Sequence, residues 1–204
     1  MEARHRYQQV AQLHVRCLDR GFLATLGQGF LELMYEAIDA APGAMLLTAE
    51  RNGRVAGFIT GGTGMRPIYA QMLRSPFRLA RSMLPSLLSV SRIRRILEIV
   101  RYSGGSALPL DLPDGELLSL AVGEEWRGKG VAEELYQQLV RRFYQSGVAE
   151  FRIIVGESLQ PAHRFYRRMG AVPVAEIQVH TGEASTVYVH TVTSSFDTTH
   201  CVES

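Results

Sequence analysis

Apolar residues recur every three or four positions in two stretches near the start of the chain, at 6–17 and at 30–38. This spacing predicts two amphipathic helices, each with one face turned toward a core. The segment between them, 19–28, contains two glycines and is expected to be a connector. Pro42-Gly43 is expected to end the second helix.

Two short apolar runs, 45–50 and 54–60, lie on either side of Asn52-Gly53. This dipeptide tolerates the positive φ angles of a type I′ turn, so the segment predicts a β-hairpin. A glycine-containing stretch, 61–64, is expected to end the second strand.

The next segment, 65–102, contains eight arginines and a single acidic residue, Glu98, with apolar residues interleaved. Ser75-Pro76 predicts the start of a helix, and Pro85 is expected to end or kink it before another helix from about 86 to 102. We interpret the segment as a helical insertion. Its arginines are Arg66, Arg74, Arg78, Arg81, Arg92, Arg94, Arg95 and Arg101.

The second half of the chain reads as strand, helix, strand, helix and a closing hairpin, which indicates an α/β fold. Residues 117–122 are almost continuously apolar, as expected of a strand covered on both faces. The crossover rule predicts that this strand and the next are parallel. The later predicted elements are a helix at 130–145, a strand at 151–155, a helix at 161–169 and strands at 174–180 and 186–190.

Composition narrows the class of protein. The chain has 204 residues, of which 46% are hydrophobic and 21% charged, so it fits one globular domain with a full core. A net charge of +2 gives no general argument for nucleic-acid binding. Cys17 and Cys201 have neither metal-like nor disulfide spacing and lie far in sequence from the motifs below. From the cysteines we therefore expect no metal site and a cytoplasmic protein. We also expect a soluble protein, because no apolar run is long enough to span a bilayer.

The most informative segment, 122–132, lies between the buried strand and the helix that follows. Gly128 and Gly130 allow consecutive N–H groups to turn toward one point, and the helix start adds unpaired donors with partial positive charge. Such a turn can bind a phosphate. The spacing fits neither the Walker loop nor the dinucleotide fingerprint. Taken alone, an ordinary strand-to-helix turn explains it about as well.

Two motifs together carry a resemblance to a known family. Residues 127–132, Arg-Gly-Lys-Gly-Val-Ala, match the Arg/Gln-x-x-Gly-x-Gly/Ala signature of the GNAT superfamily of N-acetyltransferases. Residues 162–171, Ala-His-Arg-Phe-Tyr-Arg-Arg-Met-Gly-Ala, resemble that family's Ala-x-x-x-Tyr-x-x-x-Gly-Phe helix. The order and separation of the two also agree, and the clear match covers 116–190.

The resemblance implies a single GNAT-like α/β (α+β) domain over 1–192, with a central mixed sheet flanked by helices and an insertion at about 65–102. Residues 193–204 are expected to form a polar tail. Two positions depart from the family pattern: Leu159 stands where Asn is common, and Ala171 stands where Phe is usual. Only residues 1–5 remain for the family's first strand, which we expect to be short or absent.

The resemblance further implies that the cosubstrate is acetyl-CoA. Its pyrophosphate is expected on the N–H groups of residues 128–132. Its pantetheine arm is expected along the strand end, which puts the thioester near Val122, whose amide could polarise the thioester carbonyl. The residues implied to contact the cosubstrate are Leu120, Ala121, Val122, Arg127, Gly128, Lys129, Gly130, Val131, Ala132, Ala162 and Phe165.

Tyr166 is the candidate general acid that protonates the departing thiolate, although a tyrosine on an apolar helix face is also a common core residue. A primary amine must lose a proton before attack, so a base or a water chain is also required. Glu116, at the start of the buried strand, is the first candidate base; a solvated strand-end carboxylate is the alternative. Glu157 and His180 are the other candidates.

Several polar residues favour structural interpretations. His180 and His190 are more typical of strand histidines with structural partners. Glu124 and Glu125 are expected in a solvated turn beside the phosphate site.

These inferences predict direct acetyl transfer from acetyl-CoA to a primary amine of a small molecule or amino sugar, without an acyl-enzyme. The alternative is a non-catalytic CoA-binding sensor. The insertion's arginines favour either a phosphate-bearing acceptor, such as a nucleotide- or lipid-linked amino sugar, or the solvated faces of two helices; contact with a membrane surface is a third option. We expect no nucleic-acid partner, and either a monomer or a homodimer.

Overall fold

The computed structural model describes residues 2–18, 22–87, 112–180 and 183–193. Helices α1 to α6 are Glu2–Cys17, Gln28–Ala40, Arg66–Leu73, Pro76–Leu87, Val131–Gln145 and Gln160–Arg168. Strands β1 to β6 are Ala44–Arg51, Arg54–Gly62, Gly115–Val122, Glu150–Gly156, Val172–His180 and Glu183–Thr191. Short 3₁₀ turns occupy Phe22–Leu26 and Glu124–Trp126.

The strands form one mixed sheet in the order β1-β2-β3-β4-β6-β5. The β1–β2 hairpin turns at Asn52 and Gly53, whose φ angles of 54° and 71° fit the predicted type I′ turn. Strands β3 and β4 are parallel, as the crossover rule predicts, and every other neighbouring pair is antiparallel.

Each face of the sheet is covered by a separate hydrophobic cluster. Helices α1, α2 and α3 pack on one face, where Leu31, Tyr35 and Ile68 are fully buried. Helix α5 covers the other face through Leu135, Leu139 and neighbouring apolar residues, and α6 contributes Tyr166 to that cluster. Among the described residues, no helix combines the length and apolar character needed to cross a membrane.

The mixed sheet flanked by helices confirms the predicted fold class. Pro85 does not end the helix, because α4 continues through it to Leu87. Residues 2–5, left over for the family's first strand, belong to α1. Nearly all of the second predicted insertion helix (88–102) and of the polar tail (194–204) lies outside the described residues.

Candidate acetyl-CoA site

The feature that opens a site is a bulge in β3. Thr60 of β2 faces Ser119, but the next residue, Gly61, faces Leu117, so Leu118 has no partner. A bulge bends its strand. Beyond the bulge β3 separates from β4, because the two pair only over residues 115–117 and 151–153. A cleft therefore opens between the second half of β3 and the end of β4.

The backbone of β3 turns hydrogen-bonding groups into this cleft. The Gly123 N–H donates to the Ala56 carbonyl, so this facing pair is hydrogen-bonded. Antiparallel pairs alternate between bonded and non-bonded positions. Leu120 and Val122, at the non-bonded positions opposite Ile59 and Gly57, therefore point their N–H and C=O groups away from β2 and toward β4. An extended ligand can bind there as an added strand.

The turn after β3 supplies a second set of free donors. Gly128 and Gly130 adopt φ angles of 71° and 78°, in the left-handed region that favours glycine. Within the described residues, no backbone N–H from Gly128 to Glu133 donates a hydrogen bond; the first helical bond of α5 runs from the Glu134 N–H to the Gly130 carbonyl. These donors, at the positive end of α5, suit an anion.

Helix α5 begins with two carboxylates, and both are paired with arginines. Glu133 and Glu134, in the first turn of α5, form ion pairs with Arg168 and Arg51. Lys129 extends over the Trp126 ring, with its ammonium 4.9 Å from the ring centre. The neighbourhood thus keeps cationic groups beside the free N–H groups, while the nearest acidic side chains of α5 are neutralised.

Cys17 lies at the mouth of the cleft, although the sequence separates it widely from the motifs. Its thiol lies 3.6 Å from the Val122 carbonyl oxygen, to which it donates a weak hydrogen bond. Arg127 also donates to this oxygen, at 3.3 Å from its Nε. Cys17 is therefore far from the two motifs in sequence but close to the site in space. Cys201 lies outside the described residues.

Tyr166 packs inside the aromatic cluster between α6, α5 and β6. Its ring centre lies 6.1 Å from that of Tyr136 and 6.5 Å from that of Tyr188. Burial raises the pKa of the Tyr166 phenol well above its ordinary value. The hydroxyl therefore stays protonated at neutral pH, and it makes no side-chain hydrogen bond among the described residues.

His163 positions the helix that carries Tyr166, a role that sequence reasoning missed. Its Nε2 lies 3.1 Å from the Gly156 carbonyl oxygen at the end of β4, and its Nδ1 lies 2.8 Å from the Tyr188 hydroxyl. Because a carbonyl only accepts, Nε2 carries the proton. One buried ring thus joins α6 to β4 and β6, and the only sequence signal for it is its helical spacing from Tyr166.

Glu116 lies at the closed end of the cleft, where β3 and β4 still pair. Its Oε2 accepts hydrogen bonds from Arg152 Nε and Nη2 at 3.1 and 2.7 Å. Arg152 also donates to the Pro113 carbonyl. Glu116 faces Arg152 directly across the parallel pair, so this ion pair holds the two strands together just before they separate.

The other predicted polar residues are distributed around the site. Glu157 is exposed and follows the end of β4 directly. His190 packs its ring against Tyr136 and Phe151, as expected of a structural strand histidine. His180 ends β5, and its side chain lies outside the described part of the chain. Glu124 and Glu125 are exposed in the 3₁₀ turn, as expected.

The other motif positions in and next to α6 surround the aromatic cluster of Tyr166. Ala162 and Phe165 are half-buried beside it, and Phe165 meets the Tyr136 ring edge to face. Leu159, where the family often has Asn, is largely exposed before the first turn of α6. Ala171 is buried, and its N–H donates to the Tyr166 carbonyl after the helix ends.

Two surface cavities, of about 390 and 640 Å³, lie at the opposite end of the sheet. They are lined by residues such as Met45, Arg142 and Glu150 and include none of the predicted site residues. The open β3–β4 cleft agrees better with the backbone chemistry, because it carries unpaired donors and both motifs.

Comparison with known proteins shows to which family the chain belongs. The model of the acetyltransferase (GNAT) family matches residues 8–171. The chain therefore belongs to the GNAT acetyltransferase family. No curated protein matches it by sequence.

Solved structures show the same fold at low identity. A putative GNAT acetyltransferase from Desulfovibrio desulfuricans is 16% identical, with a TM-score of 0.55 over 91% of this chain and 94% of that one. An aminoglycoside 6′-N-acetyltransferase complexed with coenzyme A is 11% identical, with a TM-score of 0.57 over 92% and 91%. A putative streptothricin acetyltransferase from Bacillus anthracis, in complex with acetyl-CoA, is 12% identical, with a TM-score of 0.50 over 77% and 67%.

Proposed function

We propose that this protein transfers an acetyl group from acetyl-CoA to a primary amine by direct attack of the amine on the thioester. The observation that carries the proposal is a set of unpaired backbone groups in two neighbouring places. In the cleft they are the N–H and C=O of Leu120 and the N–H of Val122, and in the turn they are the N–H groups of residues 128–133. An extended arm ending in a pyrophosphate matches both parts of this surface.

The proposed cosubstrate geometry differs from the sequence expectation in one respect. The Val122 carbonyl is already used by Cys17 and Arg127 and lies close to the phosphate turn. The pantetheine arm is long enough to carry the thioester further along β3, toward the bulge. We therefore assign the Leu120 N–H, rather than that of Val122, as the donor to the oxyanion that forms during attack.

Tyr166 is proposed as the donor to the departing thiolate. A phenol whose pKa is raised by burial remains protonated, but it transfers its proton to a thiolate only uphill. Hydrogen bonding to the developing charge is therefore its main contribution. Both reactants are held together by the cleft, which can supply about 7 to 11 kcal/mol in well-oriented pairs and makes a covalent intermediate unnecessary.

Glu116 remains the proposed base. It is four residues from Leu120, or about 13 Å along an extended strand, so it would act through water. Glu157, exposed at the open end of the cleft, is the second candidate. Glu116→Gln and Glu157→Gln distinguish the two candidates. The variant that lacks the base should show the larger fall in kcat at neutral pH.

The proposed acceptor is a small-molecule amine or amino sugar, and the aminoglycoside enzyme of similar fold supports an amine acceptor. Helices α3 and α4, the described part of the insertion, pack against α2 on the face opposite α5. From the sequence we also predict a cytoplasmic location and a monomeric or homodimeric state.

The local excess of arginine in the insertion predicts preference for a phosphate-bearing acceptor. Arg78 is excluded as a phosphate ligand because it pairs with Glu36, at 2.6 and 3.0 Å. The test compares a free amino sugar with its nucleotide-linked form, in wild type and in an Arg92/Arg94/Arg95 triple alanine variant. Equal kcat/KM for both acceptors in wild type, or a preference unchanged in the variant, would contradict phosphate recognition.

The main experiment follows thiol release from acetyl-CoA with a panel of primary amines. Amine-dependent thiol release with an acetylated amine product supports the enzyme. Tight CoA binding with no product from any amine would favour the second candidate, a CoA-binding sensor, for which the free donors of the turn are sufficient.

A further inference from the structure

A chain of four polar side chains crosses the face of the sheet that carries α1 and α2. His14 Nδ1 lies 2.5 Å from the Tyr35 hydroxyl. Ser119 lies close enough to Tyr35 to lower the pKa of its phenol, against the larger effect of burial, which raises it. Ser119 Oγ lies 2.6 Å from Thr60 Oγ1. The chain joins α1, α2, β3 and β2, and neither motif of the family includes any of its members.

This series of four side chains ends beside the cleft. Ser119 directly follows the bulge residue Leu118 and directly precedes Leu120, whose amide points toward β4. Its side chain is half-buried, whereas those of His14, Tyr35 and Thr60 are buried. Among these four residues, Ser119 is thus the one that can contact a ligand.

The acceptor capacity of Ser119 does not depend on the direction of its hydrogen bond with Thr60. Burial lowers the pKa of His14 to about 4, so its imidazole is neutral at neutral pH. Either hydroxyl can donate in the Thr60–Ser119 pair. The Ser119 oxygen has two lone pairs and this pair uses at most one of them, so a lone pair is left for a ligand.

We propose that Ser119 is a positioning residue for the acceptor, whose amine N–H it accepts while His14 and Tyr35 fix the orientation of its hydroxyl. This inference rests on the proposed function. An amine held beside Leu120 approaches the thioester carbonyl from the α1–α2 face, while the cosubstrate occupies the cleft between β3 and β4. These four side chains act on binding of the acceptor and take no part in binding of acetyl-CoA.

The chain also offers matched variants. Ser119→Ala removes the accepting oxygen, and Ser119→Thr keeps a hydroxyl. His14→Leu removes the hydrogen-bond partner of Tyr35, and His14→Asn retains a polar group near the position of Nδ1. Tyr7→Phe is the control for the connection between helices, because the Tyr7 hydroxyl also joins α1 to α2 through Asp39, at 2.7 Å.

The experiment measures KM for the amine and for acetyl-CoA, with the amine that wild type acetylates fastest. Loss of one hydrogen bond predicts that Ser119→Ala raises the amine KM about fivefold or more and leaves the acetyl-CoA KM unchanged. Ser119→Thr and His14→Asn should lie closer to wild type than Ser119→Ala and His14→Leu, and Tyr7→Phe should match wild type.

Equal amine KM values in Ser119→Ala and wild type would overturn the inference and leave the proposed function intact. Equal increases in both KM values would also overturn it, because they would indicate general damage to the fold. Absence of amine acetylation by wild type would overturn the proposed function itself, and this inference with it.

Discussion

At the scale of single residues, burial decides what the aromatic hydroxyls can do. Tyr136 and Tyr166 are neighbours in one cluster, and burial raises the pKa of both phenols. The Tyr136 hydroxyl has no hydrogen-bond partner among the described residues. The two side chains therefore resemble each other physically, and only Tyr166 lies at the motif position assigned to the thiolate donor.

Tyr166→Phe should lower kcat by about 10²-fold, the lower end of what one hydrogen-bond donor to a developing charge contributes. The affinity for CoA should stay the same, because the proposed contacts of CoA are mainly backbone groups. Tyr136→Phe is the matched control, since it removes a buried hydroxyl from the same cluster and keeps the ring. Steady-state kinetics and CoA titration measure both quantities, and equal kcat values in the two variants would remove Tyr166 from the mechanism.

At the scale of elements, α5 has a left-handed glycine at each end. Gly130 precedes its first turn with φ 78°, and Gly147 follows its last turn with φ 72°. A Cβ built at either glycine meets no atom within 4 Å. Substitutions at the two positions therefore carry similar backbone strain, and they differ in which end of the helix they affect.

Gly130→Asp should abolish measurable CoA binding, because it puts a carboxylate beside the N–H groups proposed to hold the pyrophosphate. Gly147→Asp carries the same strain and charge at the other end of α5 and should bind CoA like wild type. Calorimetric titration with CoA, after thermal unfolding has confirmed that both variants are folded, distinguishes them. Normal CoA affinity in folded Gly130→Asp would refute the site assignment.

Most elements could be predicted because their signals are local. Asn52-Gly53 encodes a turn, and the apolar spacing of α5 encodes a helix face. The bulge at Leu118 and the opening of the cleft could not be predicted, since they depend on the pairing of β3 with two other strands. The same holds for the contact of His14 with Tyr35 and that of Cys17 with Val122, which join residues far apart in sequence.

At the scale of the whole molecule, Cys17 lies beside the cleft. The proposal of direct transfer must therefore be tested against transfer through an acetylated cysteine. A thiol at this place is a conceivable acetyl carrier, yet it is already donating to the Val122 carbonyl. We expect a Cys17→Ala/Cys201→Ala variant to keep kcat within about twofold, since proximity of the two substrates suffices for transfer. Mass spectrometry of the enzyme with acetyl-CoA and no amine should detect no acetylated cysteine, whereas an adduct that decays on addition of amine would contradict direct transfer.

The stability of the molecule should fall between neutral and mildly acidic pH because of His14. This side chain is buried against Tyr35 of α2 and Phe58 of β2, and burial lowers its pKa to about 4. In the unfolded chain its pKa is about 6.5, so the unfolded state binds the proton first as the pH falls. The stabilisation by neutral His14 is therefore fully present above about pH 6.5 and is lost progressively toward pH 4.

Between pH 7 and pH 5 this linkage should remove about 2 kcal/mol from the free energy of unfolding. His190, whose pKa is also lowered by burial, adds a loss of the same sign. The pKa of Glu36 is lowered by its hydrogen bond to Arg78, so its contribution is lost only at more acidic pH. Urea unfolding at both pH values measures this fall in the free energy of unfolding. The fall should be smaller in His14→Asn than in wild type. In His5→Asn, the control at an exposed histidine, it should equal that of wild type. If His14→Asn loses as much stability as wild type, the imidazole of His14 is not the group that couples protonation to unfolding.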